Sequence, residues 1–276
     1  MANVNDALAL VLDEKRRTQA DGTVNMYEQK AKNIRRLLGD HDLATLKSAD
    51  VKAFIRAREA EVEPTTVQKE LVVLSQALKY ARLEEWLPRS VDQIMPVKYS
   101  SKYEPRKEFV PLDKVWELVK KFPADRGAMI AFMIATGANL SEALHARRSH
   151  IDLERGVVFI DGTKRATRKR WVPIPPPNVE LLKFVLANAP GEDILFREWA
   201  NIWRDLGHAS TAVGLPRLSS NDLRRTFASH LVQAGVPLEK IAKWMGHAST
   251  VMVYRVYGRS TPEADKLLLD QYFTKG

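Results

Sequence analysis

Between Pro96 and Lys107 the chain reads PVKYSSKYEPRK, a polar and basic stretch with no apolar periodicity. A segment of that kind has no face to bury, so it cannot run through a core. It splits the chain into residues 1–95 and 108–276, each of which has to build its own interior. The full length of 276 residues suits two domains of ordinary size, so both parts can do so.

The first part is helix after helix. Val4 to Arg17 carries Ala7, Leu8, Leu10, Val11 and Leu12 and then turns basic. Thr23 to Leu38 starts on a capping residue and stops before Gly39, and Ser48 to Ala60 opens with an acidic first turn. Thr65 to Glu85 follows Pro64 and places Val67, Leu71, Leu74, Leu78 and Ala81 at helical spacing. Four such helices with short connections predict a compact bundle without strands.

The second part is mixed. Pro111 to Phe122 and the apolar segment Gly127 to Thr136 read as helices, the latter buried. Gly156–Asp161 (GVVFID) and Trp171–Pro175 (WVPIP) are short β-type runs around the basic segment GTKRATRKR, so they predict a hairpin with a basic turn. Helices are expected again over Val179–Ala189, Glu198–Leu206, Asp222–Ala234, Leu238–Met245 and Pro262–Phe273. The fold class is therefore mainly α with a small β-hairpin or sheet, an α+β arrangement.

Charge narrows the partner. Lys and Arg number 43 against 34 Asp and Glu, a formal net charge of +9 that favours polyanions, nucleic acid first and acidic membrane second. With no cysteine, disulfides, thiolate zinc sites and cysteine nucleophiles are excluded. The longest apolar stretch, around Gly127 to Ala138, is too short to span a bilayer. The opening MANVNDALALVLDEKRR has its basic residues after the apolar ones, the reverse of a secretory signal, so a cytoplasmic protein is expected. GVVFIDGTK has the wrong glycine spacing for a phosphate loop. The histidines (His41, His145, His150, His208, His230, His247) contain no HExxH, and neither Ser220 nor Ser229 sits in a nucleophile elbow. No metal or organic cofactor is expected.

Five polar motifs remain, in the order TGANLSE (Thr136–Glu142), GTK (Gly162–Lys164), NDLRRTFASHL (Asn221–Leu231), MGH (Met245–His247) and VYG (Val256–Gly258). In that order the chain resembles the tyrosine recombinases, the phage integrase and Xer-type family, over nearly its whole length. The resemblance implies a helical core-binding domain over 1–95, a linker over 96–107, and a catalytic domain with a C-terminal helix over 108–276. It places the catalytic lysine at Lys164, the second arginine at Arg224, the Gly-His histidine at His247 and the nucleophile at Tyr257. Glu142 matches the acidic residue three positions beyond the family's first arginine. Tyr254 competes for the nucleophile's role, but the glycine after Tyr257 and its ten-residue spacing from His247 favour Tyr257.

The chemistry needs these residue types. Tyrosine attack on a phosphodiester builds negative charge on the non-bridging oxygens, which arginine forks neutralise. A phenol of reference pKa about 10 sheds its proton more readily in an electropositive site. Lysine can protonate the leaving 5′-oxygen. The product is a 3′-phosphotyrosyl bond, so strands can be exchanged without ATP or metal. The remaining basic residues of the hairpin (Arg165, Arg168, Lys169, Arg170) and Arg225 are expected to meet DNA phosphates. The resemblance further implies a clamp on duplex DNA, a tetramer on two DNA sites with the C-terminal helix docking on a neighbour, and optional DNA-bending accessory proteins. It also implies a bacterial, phage or mobile-element setting at the nucleoid.

Two positions depart from the pattern. Asn139 stands where the family motif Thr-Gly-x-Arg-x-x-Glu has arginine, and Asn221 where His-x-x-Arg has histidine. Asparagine donates hydrogen bonds but brings no charge and exchanges no proton. Arg147 and Arg148 lie more than two helical turns along from Asn139. A slow recombinase, a non-cleaving DNA-binding protein on the same scaffold, and a chain altered to trap a complex all stay open. A type IB topoisomerase-like enzyme, relaxing rather than exchanging DNA, is a further alternative.

Overall fold

The structure is a computed structural model that describes residues 1–96, 98–101, 106, 108–162 and 169–246. By its internal packing the chain forms two units, Met1–Glu104 and Pro105–Gly276.

The first unit is a helical bundle of α1 (Val4–Thr18), α2 (Asp21–Leu38), α3 (Ser48–Glu59), α4 (Pro64–Leu83) and the short α5 (Val91–Ile94). Asn3 starts α1 with a capping box: its Oδ1 accepts the Asp6 N–H at 3.1 Å, and Asp6 accepts the Asn3 N–H at 2.8 Å. Pro64 occupies the first position of α4, where its missing N–H removes no helical bond. α2 begins two residues before the expected Thr23 cap, at Asp21, whose carboxylate favours the positive end of the helix. Leu8, Val11, Ile34, Leu74 and Leu78 are fully buried in the core. So is one ion pair. Arg58 donates from Nε and Nη2 to the two oxygens of Glu70, both at 2.9 Å, and Asn33 Nδ2 reaches Glu70 Oε1 at 3.0 Å. The paired geometry satisfies charges that would otherwise be costly to bury, and it ties α2, α3 and α4 together.

The second unit begins with a 3₁₀ turn, Leu112–Lys114, and α6 (Val115–Val119), which replace the single helix expected from Pro111 to Phe122. α7 (Ala124–Thr136) is buried at every residue from Gly127 onward and packs between α9 (Val179–Asn188) and α11 (Ser220–Gln233). α8 (Leu140–Leu144) follows α7 directly. The sheet holds β1 (Ile151–Asp152), β2 (Val157–Ile160) and β3 (Arg170–Pro173), antiparallel and in that order. Phe159 faces Trp171 across the ladder and Ile160 faces Arg170. α10 (Ile202–Ala212) starts four residues later than expected from Glu198, and ahead of it Trp199 donates its indole N–H to Asp205 at 2.9 Å. α12 (Leu238–Trp244) is the last described helix. The fold is mainly helical with one small sheet, as expected. Among the described residues no helix is long and apolar enough to cross a membrane. The expected helix Pro262–Phe273 and the hairpin turn 163–168 lie outside the described residues.

Candidate active site

The motif TGANLSE is a helix stop followed at once by a helix start. α7 ends at Gly137, whose φ of 67° is left-handed, and a Cβ there would lie 2.5 Å from Phe227 Cδ1. Both facts call for glycine. Thr136 Oγ1 donates to the Phe132 carbonyl at 2.7 Å and accepts the Ala138 N–H at 3.2 Å. Asn139 then caps α8: its Oδ1 accepts the Glu142 N–H at 2.9 Å, and Glu142 Oε2 accepts the Asn139 N–H at 3.0 Å.

That capping carboxylate is also the hub of the site. Glu142 is 3% exposed. Arg170 donates from Nη1 to Glu142 Oε1 at 3.0 Å and from Nη2 to Oε2 at 3.1 Å. Arg224 Nη1 donates to Glu142 Oε2 at 3.1 Å and to the Gly137 carbonyl at 2.7 Å. The far ends of both arginines grip α12 where it finishes, Arg224 on the Met245 carbonyl and Arg170 on the Trp244 carbonyl. Burial pushes the Glu142 carboxyl up, but the Arg170 hydrogen bond and charge, the Arg224 charge and the Asn139 N–H outweigh it and hold the carboxyl below its ordinary range. The carboxylate stays ionised and both guanidiniums stay fixed.

The other expected site residues fall in several places. Asn221 is exposed in the first turn of α11, three residues before Arg224 and so on the same side of the helix. Arg225 pairs with Asp222, a fully buried carboxylate that also accepts the Ser219 N–H and O–H, each at 2.7 Å. Lys169 is exposed and pairs with Asp161 at 3.2 Å. Lys164, Arg165, Arg168, His247 and Tyr257, with the rival Tyr254, lie outside the described residues. Arg147 and Arg148 hold the Leu186–Asp193 segment, Arg147 through Asp193 and Arg148 through the Leu186 and Gly191 carbonyls. They do not join the cluster around Glu142.

Arg170 differs from the basic residues it was grouped with. It is 7% exposed and faces inward from β3, while its neighbour Trp171 is 51% exposed. Strand alternation carries the signal: Arg170 shares its face with the buried Val172. Among the described residues no group of His, Asp or Glu is placed to hold a metal ion.

The model of the Phage integrase family matches residues 111–264, more than half of the chain. The chain belongs to the phage integrase family. Of its curated relatives, the tyrosine recombinase XerC of Bacillus licheniformis is 24% identical over 285 residues, covering 92% of each chain. XerA of Pyrococcus furiosus is 25% identical over 169 residues, spanning 55% of this chain and 58% of XerA. The fold of this phage integrase family member matches the Tn1549 transposon integrase in complex with transposon right end DNA, with a TM-score of 0.76 at 17% identity, covering 98% of this chain and 99% of that one. It also matches a lambda integrase dimer bound to a COC′ core site, with a TM-score of 0.76 at 18% identity, covering 91% and 97%.

A further titratable group of this integrase-family chain lies on α11. His230 of α11 has its Nε2 2.8 Å from the Val110 carbonyl, which can only accept, so Nε2 carries the hydrogen. Its Nδ1 is buried with no hydrogen-bond partner. Protonation there would place a charge where nothing accepts it, and burial accordingly outweighs the Val110 bond and lowers the imidazole pKa. With the folded value below the unfolded one of about 6.5, the unfolded chain binds more protons at mildly acid pH. Stability is fully present above that pH and falls as pH drops through it. Urea midpoints measured from pH 8 to pH 5 should show the fall, and His230→Gln, which keeps a neutral donor, should flatten part of it.

Proposed function

We propose that this chain is a DNA strand-transferring tyrosine recombinase working with a depleted cationic site. The observation that carries the reading is Arg224, buried and held by Glu142 and by two backbone carbonyls from separate segments. A guanidinium fixed in this way needs no reorganisation when charge develops on a scissile phosphate. In the reaction the Tyr257 oxygen attacks phosphorus and passes its proton to water. The P–O bond to the 5′-oxygen breaks, and that oxygen takes a proton from Lys164. Arg224 and His247 bind the non-bridging oxygens, and a second strand's 5′-hydroxyl reverses the step. Asn139 and Asn221 offer amide donors without charge. Asn139 has its Oδ1 engaged in the cap, which leaves only its amide group to meet a phosphate. The rate is set low for this reason.

The partner is duplex DNA, with Lys169, Arg165, Arg168 and Arg225 near the backbone, and the DNA-bound lambda and Tn1549 integrases support that choice. Assembly as a tetramer follows the lambda integrase tetramer bound to a Holliday junction. DNA-bending accessory proteins and a cytoplasmic, nucleoid-associated setting in a bacterium, phage or mobile element belong to the same reading.

The second reading is a non-cleaving DNA-binding protein, and the use of Asn139 as a helix cap favours it. The test is a pool of duplexes selected for binding and then nicked beside each candidate scissile phosphate. A denaturant-resistant protein–DNA adduct supports strand transfer; a gel shift without adduct supports the binder. Both readings require phosphate contacts. We expect affinity to fall by about 10³-fold or more between about 50 and 200 mM salt, as for six or more phosphate contacts. A log–log slope near zero would remove duplex DNA as the partner.

A further inference from the structure

We propose that Arg170 is a positioning residue for strand transfer, holding Glu142 and thereby Arg224 while it also fixes the end of α12. The inference rests on the strand-transfer reading and adds a residue to it. Arg170 occupies the inward face of β3 beside Ile160 and Val172, where an apolar side chain would be as stable and cheaper to bury. An arginine there brings a fork. Its two Nη groups reach both oxygens of Glu142, and its Nε donates to the Trp244 carbonyl. Arg224 meets the same carboxylate and the next carbonyl along, that of Met245. Two guanidiniums therefore bridge α8 to the last turn of α12. Backbone and side chain are fitted to this arrangement: Gly246 has a φ of 65°, and a Cβ on it would lie 2.9 Å from Arg170 Nη1.

The three segments joined at Arg170 are those that carry the proposed chemistry. β3 comes six residues after Lys164 in the sequence, α8 bears Asn139 and Glu142, and His247 follows α12 and Gly246. Without Arg170, only Oε2 of Glu142 is held, by the Asn139 N–H and Arg224; with Arg170 on both oxygens the carboxylate has one orientation, and the Arg224 guanidinium inherits it. A merely structural ion pair would affect folding and leave the chemistry of the folded chain unchanged.

The experiment uses the full chain with Arg170→Met and Arg170→Lys, scored by urea midpoint, by affinity for a selected duplex, by single-turnover adduct rate on that duplex when nicked, and by the ¹⁵N resonance of the Arg224 Nη1 group, which binds Glu142 and Gly137, without DNA. For folded Arg170→Met we expect affinity within about threefold of wild type and an adduct rate down by about 100-fold. The Arg224 resonance should exchange with water at least about tenfold faster. Arg170→Lys, which restores one charge, should recover about tenfold of the rate. An unchanged adduct rate and an unchanged Arg224 resonance in either variant, with only the urea midpoint moved, would overturn the inference. Should Arg170→Met not fold, Arg170→Lys decides by the same two readouts. If wild type forms no adduct, the strand-transfer reading fails. The Arg224 resonance then still decides whether Arg170 holds Arg224: its loss of protection supports the coupling and its persistence overturns it.

Discussion

Tyr257→Phe should bind duplex DNA about as well as wild type and form no covalent adduct on a nicked site, a fall of about 10⁴-fold or more. The substitution removes one oxygen and keeps the ring, so packing and phosphate contacts stay as they were, while the only atom able to bond phosphorus is gone. Binding is expected to survive because it is spread over many cations of a +9 chain, none of them on this side chain. The matching substitution Tyr254→Phe, three residues earlier, should leave the adduct within about threefold of wild type. Peptide mapping of the adduct after nuclease digestion gives an independent answer, since the modified tyrosine carries the residual nucleotide. An adduct that survives Tyr257→Phe and disappears in Tyr254→Phe would move the nucleophile to Tyr254, and with it the spacing argument from His247.

The parts of this architecture that were legible in the sequence are those whose signal is local. Leu71, Leu74 and Leu78 repeat at helical spacing, and they are buried in α4 as that spacing requires. β2 and β3 pair antiparallel where β-type runs flank the basic segment, because alternation fixes which residues face inward. α8 escaped the reading, since five residues are too few to show a period. Its cap is nevertheless present in the sequence: Asn139 with Glu142 three residues on makes a capping box, a signal that the missing family arginine at the same position obscures. Arg170 was misleading for the opposite reason. It ends a run of five basic residues in nine, and a run invites one collective role, whereas strand alternation separates Arg170 from Lys169 and Trp171. The partner that explains Arg170 is Glu142, 28 residues away, and a contact of that range appears only once α8 and β3 are packed. Sequence periodicity reports which side of an element is buried; it does not report which charge meets it there.

Restoring the family residues should raise activity while lowering stability, and the separation of those two effects is the informative result. Asn139→Arg removes the Oδ1 that accepts the Glu142 N–H, so the start of α8 should lose about 1 kcal/mol. In the free protein the new cation would also stand near Arg224 and Arg170, with Glu142 as the shared counter-charge. Bound DNA reverses that balance, because the scissile phosphate supplies the negative charge the extra arginine needs. The adduct rate should then rise by about 100-fold. Asn221→His should cost little stability, since Asn221 is exposed. It should add a smaller gain, of about tenfold, as a donor on the same side of α11 as Arg224. Because both groups would meet one phosphate, the double variant should show less than the product of the two gains. Urea midpoints and single-turnover adduct rates on one nicked duplex measure both quantities. Should either rate stay flat or drop in both variants while the chain remains folded, the site is not depleted: Asn139 would then be there for α8, and strand transfer, if it occurs, would run on Arg224 and on groups supplied by other segments.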